Sequence, residues 1–487
     1  MLVPKPGSGG VGRRGWVLAE EERWAAWSEA QGKRVERRQA LRLLLLLLLR
    51  QLITTQKRHG MERHGQGWAG RQAEGEIYRH GDRSPIENYP NGLHHESEWP
   101  QGFGQLTKIG MQQQYELGQY IKKRYSDFLS ASYKTEEILI QSTEIDRTIM
   151  SAQANLAGLF PPTDDQIWNP ELLWQPVPVH VVPKASSPKL RYPIFQCPRY
   201  IELLKKTVAS NEFQEKIKPY EEFIKTMAYY SGYNASVLKN PMNFKIWHVQ
   251  DTLFCESIHN YTLPEWATED VMTKLTELTE LSLSSLFDIY KRKEKARLQG
   301  GLLVKDILQK FSEAQFPQKR KMIVYSAHDT TLGALQMALN IYNYKLPPYA
   351  SCQIFEQYEE ENGVHTIEMY FRNDTSKEPY PITLPGCSCA CPLQQFTKLV
   401  SPILVDNWEK ECEKIDIDEG KIPQPADDPV VPTEKMQGLK ATAEITRLEF
   451  SESAIPERRT ENKLMQERKK RTWHQLLGTV RKAKFSS

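Results

Sequence analysis

The chain has no apolar run near the ~20 residues that a membrane-spanning helix needs. Its longest is the seven leucines 43–49, between Arg42 and Arg50, so no transmembrane anchor is expected. Seven cysteines occur in 487 residues, and no Cys-x-x-Cys pair is matched to a His pair, so a zinc site is not expected. No Gly-X-Y period accompanies the 27 glycines and 30 prolines, and 39% of residues are hydrophobic. Collagen-like and wholly disordered classes are thereby excluded. An excess of one charge is missing too: the formal net charge is +3.

That small total conceals an asymmetry. Residues 1–74 carry 14 Lys/Arg against 7 Asp/Glu, and 413–487 carry 15 against 13, which leaves 75–412 with 35 against 41. An acidic body of this kind is not a general polyanion binder, so a phosphate site in it must be local and nucleic acid is not expected as a partner. The basic arm reads as a solvated charge run.

Texture divides the chain into three. Residues 1–76 form an atypical arm, expected to be disordered, in which Gly, Arg and Trp recur without period. Its leucine run meets only the lower length limit of a signal core and lies far from Met1. Residues 77–412 are globular. Spacing predicts a helix over 104–128, a strand at 138–140, a helix over 147–159, extended chain from Pro176 to Pro183, a strand over 321–327 and a helix over 330–340. Strands alternating with helices indicate an α/β sheet, built from about 77–197 and 301–412. The mostly helical stretch 198–300, broken at Gly232 and Pro241, reads as a smaller inserted α domain. Residues 413–487 are polar, Pro-spaced and expected to be disordered.

Three N-x-[ST] sequons, at Asn234, Asn260 and Asn373, are candidate glycosylation sites. With the near-even cysteine count they favour an oxidising, lumenal or extracellular setting.

The chemistry gathers at Arg79-His80-Gly81-Asp82-Arg83-Ser84-Pro85. Guanidinium forks match phosphate oxygens and stay charged at any working pH. A histidine between two of them can take a phosphoryl group covalently while the arginines stabilise the transferring charge. The intervening glycine is expected to allow a sharp turn. Loops at the carboxyl ends of strands converge on one crevice in an open α/β sheet. Arg147, after the 138–140 strand, can then add a third guanidinium. His328 and Asp329, after the 321–327 strand, can add a phosphate donor and a proton donor for the leaving alcohol. Taken singly, Arg147 reads as a helix-terminal charge and Asp329 as an N-cap. The triplets Arg58-His59-Gly60 and Arg63-His64-Gly65 lack the following x-Arg-x-Pro and are set aside.

These residues carry a family resemblance. The strings RHGDRSPI (79–86), WPQGFGQLT (99–107), LLWQPVPVH (172–180), YSAHDTTL (325–332) and PPYASC (347–352) resemble the histidine acid phosphatases, in their vertebrate prostatic and lysosomal branch, from about Ile77 to Cys412. The resemblance implies a histidine-phosphatase fold, a central mixed sheet flanked by helices with a smaller inserted α domain. It implies acid hydrolysis of phosphate monoesters through a phosphohistidine, without a cofactor. By position, His80 is then the nucleophile, Asp329 the proton donor, and Arg79, Arg83, Arg147 and His328 the phosphate ligands. It further implies disulfides Cys197–Cys412, Cys255–Cys352 and Cys387–Cys391, with Cys389 left over, and a homodimer through the Trp174–His180 stretch. A relative acting on inositol polyphosphates would want extra Lys/Arg around the pocket.

The sequence departs from that pattern in three places. The family's hydrophobic strand before RHGDR is replaced by Arg71-Gln72-Ala73-Glu74-Gly75-Glu76, unsuited to burial on both faces. The sheet is therefore expected to lack its central strand, and a catalytically impaired, binding-only product is the alternative reading. The arm stands where the family has a signal, and no membrane anchor follows Cys412, so both ends look foreign to the body.

Overall fold

The computed structural model describes residues 70–183, 188–191, 196–313 and 320–413. The leucine run, the two set-aside RHG triplets, most of the arm and nearly all of the tail lie outside them. Among the described residues eight strands form one mixed sheet: β1 (Arg71–Arg79), β2 (Ile138–Thr143), β3 (His180–Val182), β4 (Met322–Ala327), β5 (Cys352–Glu359), β6 (His365–Arg372), β7 (Tyr380–Ile382) and β8 (Cys391–Pro392). Their order is β3-β2-β4-β1-β5-β6-β7, with β8 beside β6. From β3 to β1 neighbours are parallel; from β1 onward they are antiparallel.

The central strand is present, against the expectation from its composition. β1 starts at Arg71, six residues before the predicted boundary, and pairs with β4 from Glu74↔Met322 to Arg79↔Ala327. Alternation explains how it is buried. Ala73 and Ile77 pack into a core with Phe311, Leu332 and Phe355. Tyr78, on the other face, packs with Leu117, Ile121 and Tyr125 of the opposite layer. Glu74 and Glu76 share that second face, and charge answers charge there. A bulge between Arg71 and Ala73 re-aims Arg71, whose Nη1 lies 2.7 Å from Glu74 Oε1. Arg124 Nη2 lies 2.7 Å from Glu356 Oε1 on β5, and Tyr125 OH donates to that same oxygen at 3.0 Å. Burial pushes Glu74 well up and Glu76 up to about 8. Against burial, Arg124 and Arg71 hold Glu356 low. A proton thus neutralises what two guanidiniums leave uncompensated.

Two helices cover that face. In α1 (Lys108–Arg124), Thr107 caps the start by accepting from Gly110 N at 3.2 Å. The helix is shorter than predicted because Leu106 instead bridges to Arg83 in extended form. Its buried face is Gly110, Gln114, Leu117, Gly118 and Ile121, while Ile109 and Tyr115 are exposed. Small residues set this face. A Cβ on Gly118 would lie 1.9 Å from Asn155 O of α2 (Asp146–Leu159), and one on Gly158 2.1 Å from Tyr115 O, so the two backbones touch directly.

Between β3 and β4 the described chain is helical, including α3 (Lys245–Ile258), α4 (Glu269–Phe287) and α5 (Gly300–Glu313). Phe213, Met227, Val249, Leu253, Leu275 and Leu278 give this part a core of its own. Gly232, at φ 81°, closes the helix 221–231. After β4 comes α6 (Asp329–Ala338). No helix among the described residues is long and apolar enough to cross a membrane.

Disulfides join Cys197 to Cys412 and Cys387 to Cys391. The implied Cys255–Cys352 bond is absent; both are buried thiols. Cys255 Sγ, on α3, contacts Tyr349 OH at 3.6 Å and Arg83 Nη1 at 3.8 Å. Cys352 opens β5 and packs in the core with Tyr78 and Ile138. The two sulfurs are thus committed to different surroundings.

Candidate active site

β1 delivers Arg79 and His80 to its carboxyl end, and the turn after it is tied to both neighbouring strands and to α1. His80 N donates to Ala327 O at 3.0 Å, and His80 O accepts from Ala350 N at 3.2 Å. Gly81 is required here for space rather than for a turn: a Cβ would stand 2.2 Å from Gly110 O, and its φ is not positive.

His80 is 2% exposed. Its Nδ1 lies 2.8 Å from Gly81 O. A carbonyl only accepts, so Nδ1 carries the proton and Nε2 keeps its lone pair. Burial, then the charges of Arg147, Arg79 and Arg83, press its pKa well below the usual histidine range. Both burial and these charges work against protonating the imidazole.

Four guanidinium and imidazole groups surround it. Arg79 donates Nη1 to Pro347 O at 2.6 Å, pairs through Nη2 with Asp329 Oδ2 at 2.7 Å, and lies 4.2 Å above the Tyr349 ring. Arg83 meets Asp251 in a fork, Nη1 to Oδ2 and Nη2 to Oδ1, both at 2.8 Å. Asp251 thereby raises the arginine's pKa against burial. Arg147, second residue of α2, has only a 3.4 Å contact from Nη1 to Gly104 O. Burial and Arg83 bring its pKa down to about 10, more than the carboxylates of Asp329 and Asp251 offset. His328 lies with its ring centroid 5.7 Å from that of His80, and its Nε2 is 2.9 Å from Thr143 Oγ1. Burial, Arg147 and Arg191 depress its pKa.

His328, not Asp329, holds the N-cap position of α6. Asp329 is instead the first helical residue, accepting from Thr330 N at 2.7 Å through Oδ1 and facing Arg79 with Oδ2. All six residues singled out in the sequence therefore meet in one cluster at the carboxyl ends of β1, β2 and β4.

Sequence reasoning missed Asp251, Tyr349, Asp82 and His259. Asp251 lies on α3 roughly opposite the apolar face formed by Ile246, Val249 and Leu253, where an acid is ordinary and gives no signal. Tyr349, tilted against the His80 ring at 5.8 Å, had none.

Residues 76–372 match the histidine phosphatase superfamily (branch 2). The chain is 56% identical to the prostatic acid phosphatase of Rattus norvegicus over 338 residues, 69% of this chain and 87% of the relative. It is 50% identical to the lysosomal acid phosphatase of Xenopus laevis over 339 residues, 69% of this chain and 77% of the relative. Among solved structures the Klebsiella sp. ASR1 phytase superposes with a TM-score of 0.53 at 18% identity, covering 70% of this chain and 98% of that one; at that identity the likeness is one of fold. A match across the whole site, with relatives this similar, leaves one assignment: the chain belongs to the histidine phosphatase superfamily, branch 2.

Proposed function

We propose that His80 Nε2 takes the phosphoryl group of a phosphate monoester and that water then releases it. The chain is an acid phosphatase, a phosphoric monoester hydrolase. The observation that carries the mechanism is the lone pair left on Nε2, fixed by the Nδ1 bond to Gly81 O and ringed by Arg79, Arg83, Arg147 and His328. Nε2 attacks phosphorus as the ester P–O bond breaks, and Asp329 gives its proton to the leaving oxygen. At acid pH the incoming monoester is a monoanion that still carries one proton. Its oxygens draw Arg79 away from the Asp329 carboxylate, which takes up that proton and passes it to the leaving oxygen. Water then attacks phosphorus, its proton returns to Asp329, and the N–P bond breaks. Arg147, whose charge burial and Arg83 disfavour, gains most from the arriving anion. The central strand is formed and holds the nucleophile, so nothing speaks for an impaired product.

The setting follows the same logic. Two disulfides, and sequons exposed at Asn234 and Asn260 and half-buried at Asn373, support a glycosylated chain in the lysosomal lumen or outside the cell. Exposed Trp168, Leu172, Leu173 and Trp174 support a homodimer.

The test is hydrolysis of 4-nitrophenyl phosphate at about pH 5 with EDTA present. His80→Ala is expected to lose roughly a thousandfold or more in kcat, together with the acid-labile phosphoryl label trapped on the wild-type chain. Retained turnover in that variant would remove the assignment.

A further inference from the structure

We propose that Arg191 forms a second anion subsite beside the reacting phosphate, which makes doubly phosphorylated monoesters preferred substrates; this rests on the phosphohistidine reading above. Three guanidiniums of the site are accounted for. Arg79 answers Asp329, Arg83 answers Asp251, and Arg147 awaits the transferring phosphoryl group.

Arg191 is a fourth. The chain around it is anchored at two points. Leu190 is fully buried, and its carbonyl accepts from Thr331 Oγ1 at 2.7 Å, on the first turn of the helix that carries Asp329. Arg191 O accepts from Gln299 Nε2 at 3.3 Å. Lys189, on the same short stretch, is neutralised by Asp306 at 2.9 Å, but Arg191 has no such carboxylate among the described residues. Its Nη1 is buried without a hydrogen-bond partner. Thr331 Oγ1 in turn accepts from His328 N at 3.3 Å, which sets this stretch beside the site, and Arg191 is among the charges that depress the His328 pKa.

A buried guanidinium nitrogen left unpaired carries a desolvation cost that a ligand oxygen would remove. One phosphoryl group at His80 already draws on three arginines. The oxygen for Arg191 must then come from another anionic group of the same substrate, and a guanidinium fork fits a second phosphate.

The experiment compares kcat/KM for adenosine 3′,5′-bisphosphate and adenosine 3′-monophosphate, with wild type, Arg191→Gln and Arg191→Lys. Wild type is expected to prefer the bisphosphate. Arg191→Gln is expected to lower that preference by about tenfold or more, mainly through KM, and Arg191→Lys to restore part of it. Each ratio is taken on one preparation, so a partly unfolded variant does not disturb it. An equal loss on both substrates, or an unchanged ratio, overturns the subsite. Wild-type inactivity on both would count instead against the phosphohistidine reading.

Discussion

His259 Nε2 donates to Asp82 Oδ2 at 2.7 Å, and Asp82 is fully buried two residues after the nucleophile. The same aspartate fastens the nucleophile turn to α1: its N donates to Gln113 Oε1 at 2.8 Å, its O accepts from Thr107 N at 3.0 Å, and its carboxylate also accepts from the Thr107 hydroxyl. His259, just beyond α3, therefore links the helical part to the loop that aims His80.

The first prediction follows from this link. His259→Ala leaves a buried carboxylate with one partner fewer, so the turn loosens and His80 loses its fixed aim. kcat is expected to fall by about tenfold, because small misplacement of a reacting group is costly. His259→Gln keeps a donor and is expected to recover most of that loss. Steady-state kinetics with an aryl phosphate decide it; a merely structural role would lower melting temperature in both variants and leave kcat per folded molecule intact.

The reacting groups were legible in the sequence because each sits in or just after a short strand, where local order is enough. Arg79 and His80, Arg147, and His328 with Asp329 are all of this kind. Asp251 and His259 were not, since their partners Arg83 and Asp82 lie 168 and 177 residues away. The central strand was misjudged for the same reason. Glu74 and Glu76 look unburiable until Arg124 and Glu356, on other elements, are set beside them. The helix expected over 104–128 forms only over 108–124, and Gly118 and Gly158, packing backbone on backbone, leave Ile109 and Tyr115 outside, which no local spacing foretells.

The second prediction concerns Glu76. Its carboxyl is fully buried, neither oxygen has a hydrogen-bond partner, and its pKa is raised to about 8 from the ordinary 4.5. Arg124, Glu356, Arg372 and Arg71 are the charges that face it. Between those two pKa values the folded chain holds a proton that the unfolded chain releases. The contribution to stability is therefore full below the unfolded value and is lost as pH rises through the folded value. Melting temperature is expected to drop between about pH 5 and pH 8. Glu76→Gln, neutral at any pH, is expected to match wild type at the acid end and to exceed it by a few kcal/mol at the alkaline end. Melts of both proteins across that range would show it; a parallel pH dependence in the variant would clear Glu76 of the effect.

The third prediction separates the observed cysteine arrangement from the one the resemblance implied. With Cys197–Cys412 and Cys387–Cys391 as the disulfides, Cys255, Cys352 and Cys389 are thiols. Cys255 and Cys352 are buried, and burial pushes both thiols' pKa values up, so neither is reactive in the folded chain. Cys389 alone is exposed. A thiol-specific disulfide reagent is expected to label one cysteine in the native protein and three after unfolding without reductant. A count of one under both conditions would mean that Cys255 and Cys352 are bonded. That bond would have to draw Cys255 away from Arg83 and Tyr349, so Cys255→Ser should then change KM for phosphate esters as well as stability. With the thiols as found, the same substitution exchanges one small buried group for another and is expected to leave KM within about twofold.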